Sequence, residues 1–284
     1  MTNMRRAMFG LWGSSHPGPT VVVTVLAAAL SVAVGLELGR TMLLMMAVFV
    51  GQLSIGISND AIDADRDRAV GRADKPVARG DVSIRTAWGA AIGCFFLALV
   101  LSVPLGFGVM VAHALALVSA WSYNAGLKAT PWSIVPFLIT FGIFPSLATL
   151  SASEPELAAT WAWLAGGSLG AAIHLTNVLP DLDDDARTGI RGLPHRIGGQ
   201  GSVWLAAAAV LVGAFAATLG PSGGQAAEVP VVSWVFCGVV VSVVVMTLVL
   251  AGLGRPGRIL FRLVMLAALL LAVQLIVSGG SLAG

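Results

Sequence analysis

The chain lacks most of what a soluble protein needs. Of its 284 residues only 11% are charged; it has two cysteines and a single tyrosine, and its connectors between apolar runs are too short to form a soluble domain. With 57% hydrophobic residues and a mean hydropathy of +0.91, it has neither an ordinary solvated surface nor the basic one that nucleic-acid binding requires. Cys94 and Cys237 both lie inside apolar runs, so they read as small buried hydrophobes and exclude a disulfide framework. The opening MTNMRR does not lead into an apolar segment with a small-residue cleavage site, so the first span is expected to be retained.

What the chain does have is apolar runs long enough to cross a hydrocarbon layer of about 30 Å. A helix-length window gives nine candidate spans, about 18–37, 41–60, 85–103, 105–124, 133–150, 158–178, 201–219, 230–251 and 258–278. This predicts an all-α integral membrane protein forming a single domain over 1–284. Every Lys and Arg except Arg40 falls in the N-terminal tail or in alternate connectors, so by the positive-inside rule the N-terminus is expected in the cytoplasm and the C-terminus outside. Membrane insertion accounts for the Arg residues on that face. It does not account for the Asp residues that crowd there with them.

Those acids fall mainly in two stretches. In "SNDAIDADRDRAVG", a helix continuing from the second span puts Asn59, Asp60, Asp63 and Asp67 within an arc of about 100°, with Asp65 pointing away. Carboxylates one turn apart repel unless a cation intervenes, and an all-oxygen set suits Mg²⁺ better than zinc or copper. The second stretch, "NVLPDLDDDARTGIRG", closes the sixth span with Asn177, Asp181 and Asp185 at the same spacing. Asn59, Asp63, Asp67 and Gly71 recur as Asn177, Asp181, Asp185 and Gly189 at a constant offset of 118 residues. Carrying span 2 onto span 6 makes this a parallel repeat, with halves of roughly 18–150 and 151–278 and both acid faces on the cytoplasmic side. Two such clusters can hold two Mg²⁺ ions and clamp a diphosphate, with nearby bases neutralising the rest and the apolar spans below accepting a long tail.

The motif N-D-x-x-D-x-x-x-D at 59–67, followed by Arg72, "KPVARG" at 75–80, "WSYNAGLKATPWS" at 121–133 and the later D-x-x-x-D at 181–185, resembles the UbiA-type polyprenyltransferase superfamily over nearly the whole chain. Arg far outnumbers Lys, and Ala, Val and Gly abound, a composition that points to a bacterium and hence to its inner membrane. The resemblance implies an enzyme that binds an isoprenyl diphosphate through two Mg²⁺ ions, ionises it to an allylic cation and passes that cation to an acceptor, often aromatic. It implies that Asn59, Asp60, Asp63, Asp67, Asn177, Asp181 and Asp185 hold metal, that Arg72, Lys75, Lys128 and Arg191 touch the diphosphate, and that Tyr123 lies near the diphosphate or cation. Asp183 and Asp184 remain alternatives to Asp185 as partner of Asp181. The sequence departs from the pattern in a shorter Asp67-to-Lys75 loop, in Lys75 where Arg is common, and in "HPGPT" at 16–20 where many members have an Arg-Pro-containing start.

Other readings fit less well. A cation-coupled transporter places its acids near the midplane and often between inverted repeats, which this pattern does not. The D-x-x-D-G-x-x-A-R signature of CDP-alcohol phosphotransferases is missing. A UbiA-type terpene cyclase, which ionises the same substrate without an acceptor, uses the same metal motifs and is the alternative within the superfamily. His113 and His174 read as packed imidazoles, and Arg255, Arg258 and Arg262 as topogenic charges.

Overall fold

The computed structural model describes residues 3–254, 258–278 and 282. Eleven α-helices are found among them: α1 Asn3–Ser14, α2 Pro17–Val34, α3 Leu38–Ala69, α4 Ile84–Ser102, α5 Phe107–Ala125, α6 Val135–Thr149, α7 Thr160–Val178, α8 Leu182–Arg187, α9 Leu193–Leu219, α10 Val231–Gly252 and α11 Arg258–Ser278. The nine apolar runs become α2–α7 and α9–α11. Among the described residues, six helices are long and apolar enough to cross a membrane: α2, α3, α4, α9, α10 and α11.

Short connectors force neighbouring helices to run antiparallel, and each packs on the next in chain order, with the small α8 set aside. Because α11 returns to pack on α2, the bundle closes into a ring. One apolar cluster joins α2, α3, α5, α6, α7 and α11, and a second joins α7, α9, α10 and α11. Arg40, the one base on the wrong side of the charge pattern, donates from Nε to Ser151 O and from Nη2 to Leu105 O, each at 2.6 Å. It ties two connectors together at the end of the bundle away from the acid motifs.

At about 1.5 Å per residue, the 32 residues of α3 reach about 48 Å, well beyond a hydrocarbon layer of about 30 Å. Its last turns, which carry the first acid motif, therefore stand clear of the apolar slab. The second motif is built differently. Pro180 cannot continue the α-helical ladder, so α7 ends at Val178 and a 3₁₀ turn, Leu179–Asp181, leads into α8. The sequence pattern, one unbroken helix, is thus realised as two helices joined by a tighter turn.

Both motifs nevertheless end alike. Gly71 and Gly189 adopt positive φ, +70° and +86°. The next residue's N–H, Arg72 or Ile190, donates back five positions to Asp67 O or Asp185 O, each at 2.9 Å. This is a left-handed helix stop, which explains why the repeat includes a glycine. Gly71→Ala and Gly189→Ala are each expected to destabilise the fold by about 1 kcal/mol, because Cβ disfavours that backbone region. Unchanged thermal unfolding in detergent would contradict the assignment. The offset of 118 also relates Pro17, which opens α2, to Val135, which opens α6. We propose on that basis that the second unit begins at α6 instead of near residue 151.

The sequence pattern gave no hint of α1. Its Met8, Phe9 and Trp12 are exposed, while Arg6 Nη2 lies 2.6 Å from Asp81 Oδ1, fastening the helix to the loop that carries Lys75.

Candidate active site

The two acid motifs meet in one chamber of about 680 Å³ at the end of the ring where α3, α7 and α8 finish. Asn59, Asp63, Asn177, Asp181 and Asp185 line it together with Arg72, Lys75, Tyr123 and Lys128. Asp60, Asp67 and Arg191 do not. The side chains of Asp183 and Asp184 lie outside the described residues.

Asp60, on the same helix face, has different partners. It is 1% exposed, and its Oδ1 accepts from Lys75 Nζ at 2.7 Å and lies 3.2 Å from His16 Nε2. It sits behind the chamber wall, holding two chamber-lining side chains in place. Asp67 is buried against Arg66 at 3.4 Å, and Asp65, 87% exposed, pairs outward with Arg68. Arg191 is exposed and does not itself line the chamber, although its neighbours Ile190 and Gly192 do.

Bases bridge the chamber's carboxylates. Lys128 Nζ reaches both oxygens of Asp63, at 2.5 and 2.6 Å, with both side chains about nine-tenths buried. Arg72 pairs with both oxygens of Asp74 and approaches Asp181 Oδ1 at 3.7 Å. That fork holds Asp74 down at about 2 and raises Arg72 above its usual range. Burial, with Asp181 and Asp63 adding to it, lifts Asp185 to about 6 against the pull of Arg66 and Lys128. Burial dominates that rise: Asp185 sits where water is scarce, with Arg66 and His195 each 3.8 Å away.

Several chamber residues had no distinct sequence signal. Asn124 accepts from Asn59 Nδ2 at 3.2 Å, and is itself fixed by donating to Ile55 O and Ser58 Oγ at 2.9 Å. The contact occupies the amide nitrogen of Asn59 and not its carbonyl oxygen. Arg66 and His195 line the chamber, as do Arg258 and Arg262, which the sequence pattern assigned to topology; Arg255 lies outside the described residues. His174 also lines it, with Nε2 3.0 Å from Ser133 Oγ, whereas His113 is a packing histidine held by Ser102 at 2.8 Å.

Among the described residues no three His, Cys, Asp or Glu side chains stand close enough to hold an ion as placed, because Arg66, Arg72 and Lys128 are interleaved with the acids. The donor chemistry still fits Mg²⁺: five Asn and Asp side chains from two motifs converge on one chamber without thiolate. Below the acids, a narrower chamber of about 200 Å³ runs between Val23, Ile55, Phe137, Phe141, Phe144 and Ile173. His16, Asn59, Tyr123 and Asn177 line both chambers and mark their junction. Tyr123 meets Phe137 edge-on at 5.0 Å and His174 at 5.5 Å. Phe and Met supply the lining of these two chambers; among the described residues Trp does not.

The architecture is that of a multi-helix membrane protein: a closed ring of apolar helices with paired Asn-Asp motifs over an apolar chamber. The chain belongs to the UbiA prenyltransferase family, whose pattern matches residues 20–266. It is 28% identical over 164 residues to a digeranylgeranylglyceryl phosphate synthase of Natronomonas pharaonis, covering 57% of this chain and 58% of that one. It is 32% identical over 137 residues to a 4-hydroxybenzoate octaprenyltransferase of Burkholderia cenocepacia, covering 47% of each. The matches thus span only about half the length of these curated relatives. The fold agrees over more of the chain. A UbiA homologue from Aeropyrum pernix superposes with a TM-score of 0.74 at 20% identity, covering 92% of this chain and 98% of that one. One from Archaeoglobus fulgidus bound to GPP and Mg²⁺ gives 0.71 at 14%, covering 95% and 99%.

Proposed function

We propose that this protein transfers an isoprenyl group from an isoprenyl diphosphate to an acceptor of aromatic or quinone type. The carrying observation is the stacking of a charged chamber, fed by both motifs, directly on an apolar one that shares Tyr123, Asn59 and Asn177 with it. Such a pair of spaces fits a diphosphate head with a hydrocarbon tail. The name of the Archaeoglobus structure, which reports GPP and Mg²⁺, supports that substrate class.

Two Mg²⁺ ions, held by Asn59 and Asp63 and by Asn177, Asp181 and Asp185, would neutralise the diphosphate and stabilise it as it leaves. The chain's own residues do the rest. Lys128, Lys75 and Arg72 supply N–H donors to the phosphoryl oxygens. The C1–O bond breaks with its electron pair going to the diphosphate. The allylic cation left at the chamber junction faces the rings of Tyr123 and Phe137, while Phe141 and Phe144 keep water out. The acceptor's electrons then form the new bond to C1, and the proton the acceptor loses passes to the departed diphosphate, which leaves the chamber with it. Asp60 acts from behind by fixing Lys75 and His16. The two relatives are named for different acceptors, a glyceryl phosphate and a hydroxybenzoate, so the aromatic reading rests on the ring cluster at the junction.

Purified protein given Mg²⁺ and geranyl, farnesyl or geranylgeranyl diphosphate is expected to form prenylated product only when a phenol or quinol is supplied. Cyclic hydrocarbon released without acceptor would establish the cyclase alternative instead. We also propose nine crossings in a bacterial inner membrane, with the N-terminus and active site cytoplasmic. Single cysteines at Ser153 and Ser222 should then label from outside intact cells, and protection of both would reverse the orientation.

A further inference from the structure

Arg66 touches both copies of the repeat. Its Nη2 lies 3.1 Å from Asp63 Oδ2 and 3.4 Å from Asp67 Oδ1, and its Nη1 lies 3.8 Å from Asp185 Oδ1 on α8. One guanidinium thus spans the gap that separates the two acid faces. The other chamber bases of the first half hold single acids more closely: Lys128 with Asp63, Lys75 with Asp60, and Arg72 with Asp74, from where Arg72 also approaches Asp181 at 3.7 Å. Arg66 also keeps a donor in reserve, because Nη1 is buried and, among the described residues, has no hydrogen-bond partner. A buried donor without an acceptor is costly, and a site that carries one is organised for a group not yet there.

We propose that Arg66 is a stand-in cation: it holds the two acid motifs together while no divalent ion is bound, and turns to a phosphoryl oxygen when a metal diphosphate enters. The inference rests on the diphosphate reading above and adds a residue to it. Facing carboxylates repel, so some positive charge must lie between them in the metal-free protein. A guanidinium does this less well than a divalent ion and is displaced by one. Its planar fork suits phosphate as well as it suits carboxylate, so the freed side chain has a partner in the incoming substrate. The exchange makes and breaks no covalent bond.

Two effects of opposite sign follow. With the competitor removed, Arg66→Gln should bind Mg²⁺ alone several-fold more tightly, yet bind pyrophosphate at saturating Mg²⁺ about tenfold more weakly, the equivalent of one lost charged hydrogen bond. Its metal-free form should unfold at lower temperature, and Mg²⁺ should restore more of the loss than it adds to the parent protein. Arg66→Lys keeps the charge without the fork, so it should retain metal-free stability while still losing pyrophosphate affinity. Arg68→Gln, which breaks only the outward pair with Asp65, should change neither affinity.

Calorimetric titration of the full chain in detergent, with Mg²⁺ alone and then with inorganic pyrophosphate, reads both effects. Unchanged or weaker Mg²⁺ binding by Arg66→Gln overturns the proposal, as does pyrophosphate affinity equal to the parent's. If the parent binds no pyrophosphate in the presence of Mg²⁺, the diphosphate reading falls and this inference falls with it. If the parent binds but the variants do not differ from it, only the inference falls.

Discussion

Asp63→Asn and Asp181→Asn are each expected to leave a folded, monodisperse protein whose prenyl-transfer turnover is lower by about 10²–10³. The replacement keeps the size and one oxygen but removes the negative charge that favours a divalent ion. Asp63 and Asp181 come from different halves of the repeat and line the same chamber, so losing either should disable the whole clamp. Asp65→Asn is the matched control, because its side chain is 87% exposed and points out of the site. Near-parental rates in Asp63→Asn or Asp181→Asn would contradict the ligand assignment.

The second large effect separates two bases that sequence resemblance treats alike. Lys128→Ala leaves Asp63, nine-tenths buried, with Arg66 at 3.1 Å as its remaining cation, so the loss of stability should fall below the ~3–5 kcal/mol of a buried pair broken outright. It should also weaken inhibition by pyrophosphate about tenfold or more, since a donor to the diphosphate is gone. Arg191→Ala should do neither, because Arg191 is exposed and does not line the chamber. Equal losses from both variants would show that the loop after α8 folds over the substrate, and would overturn the placement described here.

The repeat was legible because it rests on local rules. Asn59, Asp63, Asp67 and Gly71 repeat as Asn177, Asp181, Asp185 and Gly189 because a helix face and a left-handed stop need those residue types at that spacing. The apolar runs were legible for the same reason, though Pro180 converts one helix into two. Long-range pairings were not legible. Asp60 lies on the arc shared by the ligands, but Lys75 and His16, from two other segments, draw it behind the wall. Arg66 lies in the stretch "DADRDR", and only the approach of α8 adds Asp185 to its local partners Asp63 and Asp67. Asn124 likewise matters through its contact with Asn59, 65 residues away. Arg40 seemed a breach of charge sorting until the carbonyls of Ser151 and Leu105 accounted for it.

A double-mutant cycle on Mg²⁺-dependent pyrophosphate binding tests most directly whether the two motifs grip one diphosphate. If they act as a unit, Asp63→Asn and Asp181→Asn should each abolish most of the affinity and the double variant should lose little more, a coupling as large as either single effect. Losses that simply add, or pyrophosphate binding that survives in either single variant, would mean that the motifs work separately and that no shared clamp exists.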